Sequence, residues 1–102
     1  MKLNQNTIIP KIIDMKSELD IISKLIDRII ELVYMEDALN FAKETESLIN
    51  SFPQLKYFSD EAESIKECLI DLYDGYESKE SAIDYMNFMK RVVINAQEFI
   101  AK

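Results

Sequence analysis

The residues of this chain that could carry chemistry are acids, tyrosines and one thiol. Asp60, Glu63, Glu67, Asp71 and Asp74 recur at spacings of 3, 4, 4 and 3, which on a helix aligns them in a single stripe. Carboxylates along a rod either keep a face solvated or steer and select a partner of opposite charge. They do not wrap around a cation, because the helix spreads its ligands along the axis. The single cysteine, Cys68, falls at the edge of an apolar stripe on the same segment, where a small, partly buried residue is expected in place of a nucleophile. Histidine is absent. That removes Ser/His and Cys/His nucleophilic machinery, the Glu-x-x-His di-iron set and nearly all common zinc sites. One glycine cannot build a phosphate-binding loop. No catalytic residue, cofactor site or metal site is expected, and an enzyme is not the expected reading.

The aromatic residues Tyr57, Phe58, Tyr73, Tyr76, Tyr85 and Phe88 sit mostly at helical core spacing or beside a turn, so packing is their expected role. Tyr57 and Tyr76 flank two loops and would form a pair of exposed anchors if those loops share one end of the molecule.

Charge narrows the partners. The net charge is −7, and the segment 60–84, with nine acids against two bases, carries all of it. Such a surface repels phosphate backbones, and no basic stripe with interleaved aromatics is present, so nucleic acid is not an expected partner. No uncharged apolar run approaches the ~20 residues that a spanning helix needs, and the polar run Asn4 to Thr7 follows close on Lys2, so neither a membrane segment nor a signal peptide is expected. A lone cysteine suits a reducing compartment. A cytoplasmic protein is the expectation.

The elements that must position the acids are helices. A chain of 102 residues is expected to form one domain, 1–102. One glycine and two prolines leave too little turn vocabulary for an all-β fold. Ile12, Met15, Leu19, Ile22, Ile26, Ile29 and Val33 mark one side of a first helix. That apolar face is wide enough to predict contact with two helices or with another chain. Beyond Tyr34 the apolar side changes to the opposite face, as Phe41, Ala42, Leu48 and Ile49 show. Supercoil drift of ~20° per heptad cannot produce such an inversion. A break near Tyr34 to Asp37 is therefore predicted, the alternative being one continuous helix through both segments. Pro53 ends the second segment, Ser59 or Asp60 caps the third with Glu63 at capping-box spacing, Gly75 closes it, and Ser78 caps the fourth. Thr7 is the expected cap of the first, with Pro10 in its first turn. The predicted fold is an all-α antiparallel bundle of four helices, about 7–34, 37–50, 59–74 and 78–101.

Small all-helical chorismate mutases open on a helix of comparable apolar spacing. Their dicarboxylate site needs several basic side chains, and here Lys16 and Arg28 are followed by Val33 where a further arginine would be required. The resemblance ends at periodicity. The expected function is non-catalytic binding of a protein with a basic surface, in the manner of a small acidic neutraliser or inhibitor such as an immunity protein, antitoxin or phage-encoded anti-defence protein. Asp60, Glu63, Glu67, Asp71 and Asp74 are the expected partner-binding residues, with the exposed side of Ile83 and Ile94 as a second contact. The alternative is a helical-hairpin structural or secretion-partner protein that homo- or heterodimerises through the isoleucine-rich first helix.

Overall fold

The computed structural model of the chain describes residues 5–101 and folds them into four helices: α1 (Gln5–Val33), α2 (Ala38–Asn50), α3 (Ser59–Asp74) and α4 (Lys79–Ala101). Successive helices run in opposite directions. Arg28 on α1 meets Glu44 on α2, Glu18 on α1 meets the segment that leads into α3, and Asp27 on α1 meets Lys90 on α4. The contacts α1·α4, α1·α2, α2·α3 and α3·α4 close a ring and α1·α3 crosses it; α2 and α4 lie diagonally opposite, bridged by Lys79 over the Phe41 ring. This is the all-α four-helix bundle that the periodicity predicts.

The core is the α1 stripe brought against its partners. Leu19, Ile22, Ile26, Ile29 and Leu32 are buried to 1% exposure or less, packed with Ile65, Leu69 and Leu72 of α3 and Ala82, Met86, Met89 and Val93 of α4. From Leu19 onward the wide apolar face of α1 is thus packed on three neighbours of its own chain. The cover ends before Leu19: Ile12 and Met15 are half-buried, and Ile9 and Ile13 are 55% and 59% exposed.

Each break has a local cause. α1 stops at Val33, and the carboxylate of Asp37 accepts from the backbone N–H of Leu39 at 3.0 Å and Asn40 at 3.2 Å, capping α2. The inversion of faces is therefore resolved by a turn, and the continuous first helix, with the two-armed hairpin built on it, is not what forms. α2 ends at Ser51, whose hydroxyl donates back to the Ser47 carbonyl at 2.9 Å, before Pro53 can interrupt it. Gly75 ends α3 in the left-handed region at φ 84°, with the Tyr76 N–H donating to the Asp71 carbonyl at 2.8 Å and the Gly75 N–H to Leu72 at 3.3 Å, a Schellman closure. The Ser78 hydroxyl accepts from Ser81 N–H at 3.1 Å and caps α4. A Cβ on Gly75 would meet nothing within 4 Å, so Gly75→Ala isolates the backbone cost of a positive φ. We expect a loss of about 1 kcal/mol in urea unfolding, with the helical circular-dichroism signal unchanged.

Several expectations need correction. Thr7 is not the cap of α1, because the helix already runs from Gln5 and contains Pro10. Pro10 has no N–H to offer the Asn6 carbonyl, so the opening turn is held by one bond fewer. The residues before Thr7 read as a short lead, but Gln5 and Asn6 are already helical, and 1–4 lie outside the described residues. Neither Ser59 nor Asp60 caps α3; Phe58 stands at the N-cap without a side-chain bond, and Ser59 and Asp60 are already helical. Ile83 is half-buried and packs against the core, leaving only Ile94 of that pair exposed, at 43%. Tyr73, expected in the α3 stripe, is 39% exposed and donates its hydroxyl to Glu46 at 3.4 Å. No helix among the described residues is long and apolar enough to cross a membrane.

Candidate functional site

The five carboxylates of the stripe are all exposed on α3, because the opposite face of that helix buries Ala62, Ile65, Cys68, Leu69 and Leu72. The spacing that aligns the acids is the same spacing that anchors the helix behind them. The structure nevertheless divides the stripe. Glu67 and Asp71 face α4 and line a hollow of about 310 Å³ together with Cys68, Glu77, Ser81 and Tyr85. Glu63 faces the other way, into a hollow of about 320 Å³ walled by Phe52, Pro53, Leu55, Ala62 and Lys66. Asp60 and Asp74 line neither.

The ion pairs of the described residues are Asp20 with Lys24, Glu31 and Glu44 with Arg28, and Asp27 with Lys90. All use acids of α1 and α2. None uses an acid of α3, so among the described residues the strip of highest negative charge makes no ion pair. Like charges at helical neighbour spacing cost a few tenths of a kcal/mol per pair, a repulsion that an opposing basic surface relieves.

The thiol in the first hollow is chemically quiet. Burial, then the nearby carboxylates of Glu77 and Asp71, push Cys68 up to about 11, so it stays protonated at neutral pH and is a poor nucleophile. Among the described residues no group of three Cys, Asp or Glu side chains is placed to hold a metal ion. Tyr57 and Tyr76 do not act together. Tyr57 sits beside the Glu18 region of α1 with Lys11 and Lys56 over its ring at 5.7 and 5.3 Å, whereas Tyr76, 85% exposed, follows the turn at the other end, where Val33 meets Lys79 and Ile83.

A residue that sequence reasoning missed holds the segment leading into α3. Glu18 Oε1 accepts from the N–H groups of Tyr57 at 2.9 Å and Phe58 at 3.1 Å, and Oε2 accepts from Lys56 at 3.2 Å. The signal was present, since Glu18 shares the helical face of Met15, Ile22 and Leu25. A carboxylate set in an apolar arc has to find donors. Through this contact α1 fixes where α3 begins, and hence the position of its acidic face.

Compared with protein-family models, curated proteins and solved structures, the chain gives no match.

Proposed function

We propose that this chain is a non-catalytic protein-binding module, a small acidic neutraliser or inhibitor of the immunity-protein, antitoxin or phage anti-defence type, which docks a basic partner on the outer face of α3. The observation that carries the reading is the set of exposed carboxylates Asp60, Glu63, Glu67, Asp71 and Asp74 with no ion-pair partner in the described chain. Such a surface raises the association rate with a cationic target and rejects anionic ones. The four-helix scaffold holds the acids on a rigid element, so little ordering is required on docking. A cytoplasmic site of action goes with the single free thiol, which reducing conditions preserve.

The test is the triple substitution Glu63→Lys, Glu67→Lys and Asp71→Lys, made at exposed positions that the fold does not use. A partner recovered from native lysate by the wild type is purified and titrated against both proteins. Affinity for the variant is expected to fall on the order of 100-fold, and wild-type affinity to weaken as salt rises through the range where surface charges are screened. Equal affinity for wild type and variant, with both folded, would remove the proposal.

A further inference from the structure

We infer that α2 is a strap that opens away from α1 and α3 while the other three helices stay packed. Its inward stripe is Phe41, Ala42, Thr45, Leu48 and Ile49, and the one member that is completely buried is the polar one. The Thr45 hydroxyl, at 0% exposure, has no hydrogen-bond partner, whereas the apolar residues around it are only half-buried. Closing α2 therefore strips water from a hydroxyl without replacing it, and opening restores that bond.

The remaining ties are peripheral. They are the ion pair of Glu44 with Arg28, the Tyr73 hydroxyl on Glu46 at 3.4 Å, and Lys79 lying 5.6 Å from the centre of the Phe41 ring. Exposed contacts of this kind contribute little each. α1, α3 and α4 all pack on one another, whereas α2 packs its backbone on α1 and α3 and reaches α4 through the Phe41 and Lys79 side chains, so its departure leaves a three-helix unit. With 13 residues, α2 is too short to persist alone in water, and opening includes its unwinding. The opened state uncovers apolar surface along the seam of α1 and α3. This inference rests on packing alone and is independent of the docking proposal.

Native-state hydrogen exchange on the full chain tests it. Amides of α2 are expected to exchange through a local opening with little denaturant dependence, at protection at least about tenfold below that of Ile22 to Ile29 and Met86 to Val93. Thr45→Val, which replaces the orphan hydroxyl by a methyl group, is expected to raise α2 protection about tenfold. The comparison within the wild type needs no variant. Protection of α2 equal to that of α1 and α4, with the same denaturant dependence, would overturn the inference, as would a folded Thr45→Val whose α2 protection is unchanged.

Discussion

Replacing Glu18 by alanine is expected to lower the unfolding free energy by about 3 kcal/mol, a large effect for a side chain that is neither catalytic nor in the apolar core. Its carboxylate accepts three backbone N–H groups, those of Tyr57 and Phe58 partly buried. Removing the acceptor leaves donors that must be desolvated without reward, at ~1–3 kcal/mol for each buried group. The exposed Lys56 N–H recovers water and contributes least. Glu18→Gln keeps one carbonyl oxygen in place and should lose about half as much, because a neutral acceptor binds N–H groups less strongly than a charged one. Urea unfolding of the three proteins at neutral pH checks the order. If Glu18→Ala unfolds at the wild-type midpoint, Glu18 does not hold the approach to α3.

Ile26→Ala is expected to cost about 3–4 kcal/mol, while Ile13→Ala costs less than about 0.5 kcal/mol. Both residues are isoleucines of α1, but Ile26 has no exposed surface and Ile13 is 59% exposed. The pair separates burial from helix propensity, since both substitutions improve propensity by the same small amount. A domain of this size has ~5–15 kcal/mol in total, so Ile26→Ala alone brings the protein close to its threshold. Thermal and urea unfolding of the two variants would show whether the core begins at Leu19, as the burial pattern indicates.

Patterns that act along the chain were legible before any coordinates. The face inversion between Ile29 and Ala42 left a turn or one continuous helix facing two ways; the turn is what forms, and Asp37 caps the helix that follows it. Gly75 acts through its own backbone and Ser78 through its own hydroxyl, so their roles could be read one residue at a time. The third helix runs from Ser59 to Asp74, as its stripe and stop signal predicted. Features that depend on which helix lies beside which were not legible in the same way. Ser59 and Asp60 have good capping chemistry, but the chain is led into α3 by a carboxylate some 40 residues away in sequence. Ile83 lies on the polar side of its own helix and is nevertheless packed against the core. Thr45 carries no signal of its own in the sequence, yet it is completely buried. The acidic stripe was legible as a geometry; that its members make no ion pair among the described residues became visible only once the pairs of α1 and α2 were placed.

The partner that α1 contacts most extensively is α4, the last of these four helices to be synthesised. Leu19, Ile22, Ile26 and Ile29 must therefore wait on the ribosome for a cover that does not yet exist. The stretch from Val33 to Ala101 takes on the order of 3–14 s to make, and through that interval α2 and α3 are the only shelter the nascent chain can offer. The two helices that α1 contacts least are thus its first cover, and the helix that it contacts most completes that cover last.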